Sequence, residues 1–89
     1  MANFGKFKLL VIDPDKVIFE GEVSSVFLPG DKGEFEILPY HYPLISLLRE
    51  GEIVIDGKYA VPINHGIVRF FKNECVILVQ VNEMAFINL

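Results

Sequence analysis

"LPGDKGEFEILPYHYPLISLLREG", Leu28 to Gly51, sets three glycines and three prolines among apolar runs, with a single histidine between two tyrosines. Within it "GEFEIL" (Gly33 to Leu38) alternates acidic and apolar side chains, the period-two pattern of a half-buried strand. Gly30 and Gly33 bracket Asp31 and Lys32, so the segment before "GEFEIL" turns back on itself as a hairpin. Pro39 and Pro43 stiffen the loop that carries His41. "LISLLREG" (Leu44 to Gly51) is long enough for two helical turns, but it is closed in by Pro43 and Gly51 and reads equally well as a strand.

Outward from this stretch the chain keeps the same short rhythm. "FKLLVID" (Phe7 to Asp13), "KVIFEGEVSSVFLPG" (Lys16 to Gly30), "EIVID" (Glu52 to Asp56), "KYAVPI" (Lys58 to Ile63), "GIVRFF" (Gly66 to Phe71) and "CVILVQV" (Cys75 to Val81) are rich in Val, Ile, Phe and Tyr and bounded by Gly, Pro, Asn or Asp. Such segments are strands. "DPDK" (Asp13 to Lys16) places proline second in a turn, Asp56-Gly57 is a two-residue hairpin signal, and Asn73 supplies a left-handed residue between "GIVRFF" and "CVILVQV". No helix is expected. Seven or more short strands at this spacing predict an all-β fold, a sandwich or a barrel. "CVILVQV" is apolar on both faces, and Val76 and Leu78 would be exposed if one face alone were covered. Either a partner protein covers the second face or the strand lies inside the fold.

The 89 residues suffice for one core, so residues 1–89 are read as a single domain. Hydrophobic residues make up 52% of the chain, yet no run approaches the ~18 apolar residues of a membrane span. The opening "MANFGKFKLLVID" has neither a basic start with a long apolar segment nor a cleavage site, so no signal peptide is expected. One cysteine, Cys75, excludes an intramolecular disulfide and fits a reducing compartment. A net charge of −4 with scattered lysines and arginines argues against nucleic-acid binding.

Enzymatic and metal chemistry find little support. "DPDKVIFEGEVS" opens like a calcium loop, but Val17, Ile18 and Ser24 fall where a ligand, the glycine and the bidentate acid belong. "PGDKGE" lacks the Gly-Lys-Ser/Thr and helix of a phosphate loop, and Asp31, Glu34 and Glu36 would repel a phosphate. His41 and His65 stand apart without ligand-spaced partners. Cys75 opens an apolar strand and reads as a buried, inert thiol. An acid/base pairing of His41 with Glu34 or Glu36 has no accompanying nucleophile or oxyanion loop. No catalytic residue, no cofactor and no metal are expected.

The stretch from Phe7 to Gly51 closely resembles the N-terminal domain of the epsilon subunit of F-type ATP synthase, called delta in mitochondria. The resemblance is carried by P-x-x-V-x-F-x-G-x-V (Pro14 to Val23), by LPG-x-x-G-E-x-x-I-L-P-x-H-x-P-L (Leu28 to Leu44) and by L-x-x-G (Leu48 to Gly51). Farther on, Asn64-His65-Gly66 replaces the usual Ser-Gly-Gly, which leaves the local loop geometry open. The resemblance implies a β-sandwich of about ten strands in two sheets. It also implies a noncatalytic central-stalk, or rotor, subunit that links the gamma subunit to the c ring and couples proton flow to ATP synthesis. Its place would be peripheral, on the cytoplasmic side of the inner (plasma) membrane.

By the same resemblance Glu34 faces the polar loops of the c ring, with Asp31 and Glu36 beside it, and His41 faces gamma. For His41 a hydrogen bond within its own loop is the competing reading. Many members of the family continue into a two-helix segment that restrains hydrolysis and in some bacteria binds ATP. This chain stops at "NEMAFINL", so the expectation is a short form without an ATP site or a helical brake. A free-standing β-sandwich module for another ligand is the alternative function.

Overall fold

The computed structural model describes residues 5–83. Eight strands run in order: β1 (Phe7–Ile12), β2 (Val17–Val23), β3 (Val26–Gly30), β4 (Gly33–Ile37), β5 (Leu44–Leu48), β6 (Gly51–Ile55), β7 (Tyr59–Phe71) and β8 (Glu74–Val81). Among the described residues there is no α-helix, and Leu44 to Leu48 of the ambiguous segment is strand. The expectations for the two chain ends, a missing leader and a missing helical extension, lie outside the described residues.

The β-sandwich is built from one hydrogen-bonded network folded over on itself. The order β2-β1-β8-β7-β5 forms one layer, while β6 pairs with both β3 and β7 and β4 pairs with β3 to give the other. β7 belongs to both layers: Tyr59 to Ile63 pairs with β6, and Gly66 to Phe70 pairs with β5. A register shift between Ile63 and His65 marks the bend, as an extra residue in one strand does. The two segments read as separate strands from the sequence are therefore one strand of 13 residues. This fusion contributes to a count of eight where about ten were expected. Conversely, the single apolar run from Lys16 to Gly30 breaks at Ser24-Ser25, where the chain crosses from β2 in one layer to β3 in the other.

Alternation along each strand fills the space between the layers. Phe7, Leu9 and Val11 of β1, Cys75, Ile77 and Val79 of β8, and Val68 and Phe70 of β7 meet Val26, Leu28, Ile37, Ile53, Ile55 and Ile63 in one buried cluster. No polar or charged residue is buried among the described residues. Phe7 and Phe70 meet edge to face at 5.5 Å, an arrangement the ring quadrupoles favour.

Turn chemistry holds the ends. The Asp13 carboxylate accepts from the Asp15 and Lys16 amides at 2.7 and 2.9 Å, which closes the β1–β2 turn. Asp56 (φ 55°) and Gly57 (φ 66°) turn with the handedness a hairpin prefers, and Lys58 N–H donates to Ile55 C=O at 2.9 Å. Residues 56–58 lie between the paired Ile55 and Tyr59, so the connection is one residue longer than the sequence signal suggested. At the β7–β8 turn both Lys72 (φ 52°) and Asn73 (φ 61°) are left-handed.

Cys75 is buried, as the sequence suggested, and burial pushes its thiol from 9.0 up to about 12. The folded protein holds this proton after the unfolded chain has released it, so folding stability contributed by the neutral thiol is lost as pH rises from about 9 towards about 12. Chemical denaturation across that range should show a stability slope, up to ~1.4 kcal/mol per pH unit, that Cys75→Ala lacks. A thiol reagent at pH 8 should modify Cys75 only at the rate of unfolding. Immediate labelling of the native protein would contradict this burial.

Candidate functional site

The residues singled out from the sequence fall at two ends of the fold. At one end the β3–β4 hairpin pairs Gly30 with Gly33, leaving Asp31 and Lys32 as its tip. Glu34 follows on the first outward position of β4, opposite Pro29, and Glu36 on the next, opposite Phe27. The two glutamates project from the same exposed face, about 7 Å apart along the strand. The apex is thus Asp31-Lys32, with Glu34 on its flank rather than at the point. Asp31 N–H donates to Leu47 C=O at 3.0 Å and Arg49 N–H to Pro29 C=O at 2.9 Å, so β5 holds the hairpin against the bend of the sandwich.

Close approach at this hairpin explains its first glycine. A Cβ on Gly30 would stand 2.6 Å from the Gly33 carbonyl oxygen and 2.8 Å from the Phe35 ring, distances no side chain tolerates. Gly33 has open space around it but a φ of 137°, a conformation side chains resist.

At the other end the loop between β4 and β5 carries His41. The ring nitrogen Nδ1 lies 2.7 Å from the Tyr42 carbonyl oxygen, which can only accept, so Nδ1–H donates. The ring also lies tilted against Tyr42 at 4.8 Å and edge-on to Phe70 at 5.8 Å. His41 therefore spends one nitrogen on a hydrogen bond inside its own loop, the kind of bond the competing reading named, and its ring lies against Phe70 of the core. Tyr42 beside it is 77% exposed and Tyr40 60%.

Asn73 organises this end. Its side-chain oxygen accepts from the Tyr40 amide at 2.7 Å, its side-chain nitrogen donates to the Lys6 carbonyl at 3.0 Å, and its backbone oxygen accepts from Lys8 N–H at 3.3 Å. One residue joins the β7–β8 turn, the start of β1 and the His41 loop. Tyr40 sits at φ 64°, a strained value for a non-glycine residue, where the bond to Asn73 holds it. A tyrosine in that conformation gives no signal in the sequence, and Asn73 gave only its turn.

The two ends are far apart. β5 pairs Leu44 with Phe70 near His41 and Leu48 with Gly66 near the hairpin, a strand length of about 13 Å before the loops are added. The structure does not bring His41 to Glu34 or Glu36. Among the described residues no three His, Cys, Asp or Glu side chains stand in metal-holding proximity.

Comparison with known proteins adds the family. The sequence model for "ATP synthase, Delta/Epsilon chain, beta-sandwich domain" matches residues 6–85. The chain belongs to this family. It is 44% identical over 77 residues to the ATP synthase epsilon chain of a Nitratiruptor species, covering 82% of this chain and 60% of that one. With the epsilon chain of a Sulfurovum species it shares 43% identity over 76 residues, covering 79% and 59%. The chain thus spans about 60% of the length of these epsilon chains. Its fold is similar to a chain in the central stalk and c-ring structure of Tetrahymena thermophila mitochondrial ATP synthase, with a TM-score of 0.69 at 14% identity over 82% of this chain and 62% of that one. A chain of the Euglena gracilis mitochondrial ATP synthase gives a TM-score of 0.75 at 17% identity, covering 84% and 51%.

In this family member Asn64 and His65 both keep negative φ, so the bend does not need glycine there. Gly66 is different: a Cβ would stand 2.6 Å from the Leu78 carbonyl oxygen.

Substitution tests the hairpin. Gly30→Ala should lower stability by ~1–3 kcal/mol in urea denaturation, because backbone on one side and a ring on the other must move. Gly5→Ala, with nothing within 4 Å, is the control and should change little. Equal midpoints for the two variants would rule out the close approach.

Proposed function

We propose that this chain acts as a noncatalytic central-stalk subunit of an F-type ATP synthase, linking the gamma subunit to the c ring. The observation that carries the proposal is the division of one stiff body into two presenting ends. The acidic β3–β4 hairpin stands at one end and the aromatic His41 loop at the other, joined by continuously paired strands. A rotor element must transmit torque without shearing, and a sandwich with one uninterrupted core deforms little. Membership of the delta/epsilon family and the likeness to epsilon chains support the same reading.

In this role Glu34 meets the polar loops of the c ring through charge-assisted hydrogen bonds, while Asp31 and Glu36 add attraction at longer range. His41 belongs to the gamma-facing end. There it acts mainly by fixing its loop, so that the exposed Tyr40 and Tyr42 supply the contact area. The chain would sit on the cytoplasmic side of the membrane, held there by the complex. Among the described residues no helix is long and apolar enough to cross a membrane.

Purified chain mixed with the gamma subunit from the same source should co-elute as a stable complex. Separate elution at micromolar concentration would sink the rotor assignment. Glu34→Lys should leave the fold intact and weaken attachment of the catalytic sector to membranes by roughly 10- to 100-fold, the loss of one charged hydrogen bond worth ~1.5–3 kcal/mol. Unchanged proton-coupled synthesis in membranes carrying Glu34→Lys would count against the c-ring contact.

A further inference from the structure

The His41 loop runs between Ile37 and Leu44, outside the strand ladders. Two bonds close it upon itself: His41 N–H donates to Leu38 C=O at 3.2 Å, and the His41 ring donates to the Tyr42 carbonyl. Neither fixes the angle of the loop to the sandwich. The Asn73 side chain does so from the neighbouring turn, accepting from Tyr40 N–H at 2.7 Å and donating to Lys6 C=O at 3.0 Å. A backbone N–H and a backbone C=O thus meet one side chain from two directions. A primary amide answers both, with an acceptor and a donor on one rigid plane. Asparagine is also the amide residue that favours the left-handed conformation, and Asn73 holds φ 61°. Aspartate would set an oxygen against the Lys6 carbonyl, and glycine would meet neither group.

We propose that Asn73 is the positioning residue of the gamma-facing loop: its side-chain amide latches Tyr40 in the left-handed conformation and, acting through the loop, sets the affinity of the chain for gamma. The proposal rests on the assignment of this loop to gamma. Tyr40 stands at φ 64°, a conformation that a tyrosine leaves when nothing secures it. A loop that samples several conformations binds with an affinity reduced by the fraction of time it spends in the competent one. With the latch closed, the exposed Tyr40 and Tyr42 are presented already ordered. With it open, the backbone at Tyr40 returns to negative φ and the two rings no longer keep a fixed relation to the sandwich.

Asn73→Gly isolates the latch, because glycine keeps the left-handed turn and the backbone bond to Lys8 while both side-chain bonds are lost. Lys72→Gly is the control. Lys72 lies in the same turn at φ 52°, with its ammonium 5.4 Å from the centre of the Phe71 ring, so glycine there loosens the turn and leaves the latch intact. In isotope-labelled protein the amide order parameters of Tyr40 and His41 should fall from ~0.85 to below ~0.6 in Asn73→Gly and hold in Lys72→Gly, with Ile77 and Val79 of β8 unchanged in both. Titration with the gamma subunit from the same source should give a Kd about tenfold higher for Asn73→Gly and within about twofold of wild type for Lys72→Gly. A purely structural loss would lower the unfolding midpoint and leave the order parameters and the Kd of the folded protein in place. Asn73→Ser, too short to span both partners, carries the same readouts should Asn73→Gly not fold.

Wild-type order parameters in Asn73→Gly would overturn the latch. An unchanged Kd despite a loosened loop would overturn its control of affinity. Equal losses of affinity in the two variants would do the same, since the stiffness of the turn and not the amide would then set binding. A wild-type chain that binds no gamma overturns the assignment of the loop to gamma, and the order parameters then confirm or refute the latch by themselves.

Discussion

Everything in this fold hangs on the bend in β7. The shift between Ile63 and His65 folds this strand of 13 residues so that each half pairs in a different layer. The close packing of Gly66 against the Leu78 carbonyl keeps β8 tight against the strand just past the bend. With the bend in place, β6 and β3 are carried over the first layer and the apolar faces of both meet. The same bend places the β3–β4 hairpin beside Leu47 and Arg49, far from the His41 loop. Separation of the two presenting ends is therefore a consequence of the bend rather than of either loop.

A second constraint acts at the opposite end, where polar bonds replace packing. Asn73 gathers three chain segments with its side chain and its carbonyl, and Asp56 accepts from the Ser24 and Ser25 amides at 2.7 and 3.1 Å, tying the crossover between layers to the β6–β7 turn. Such bonds are individually worth ~1 kcal/mol, but they fix loops that have no core of their own. The exposed tyrosines owe their presentation to them. Rigid aromatic groups on a pinned loop lose little entropy when a partner covers them, which suits an interface of long lifetime.

Much of the fold was legible in the residues. The strand segments, the hairpin at Gly30 to Gly33, the left-handed Asn73 and the buried Cys75 all follow from alternation and turn chemistry, which are local. Exposure of Leu78 followed from counting alternate positions along β8, and Val76 on the same face is half-buried. The fusion of "KYAVPI" with "GIVRFF" was not legible, because Asn64-His65-Gly66 reads as a loop and becomes a bulge only when two different partners pull on the halves. Neither was the left-handed Tyr40, whose conformation depends on a side chain 33 positions away.

By itself the sequence determined that this is an all-β chain of the delta/epsilon type, with acidic residues on a glycine-bracketed hairpin and a histidine in a proline-stiffened loop. Those features are short-range, and a handful of neighbouring residues specify each. Tertiary structure alone decided that the hairpin and the loop stand at opposite ends, that His41 gives its Nδ1–H to the Tyr42 carbonyl, and that Ile12, Leu47, Ile67 and Leu78 line up across four strands as one apolar row. Register between strands distant in the chain sets each of these, and the core packing that fixes register exists only once both layers have closed.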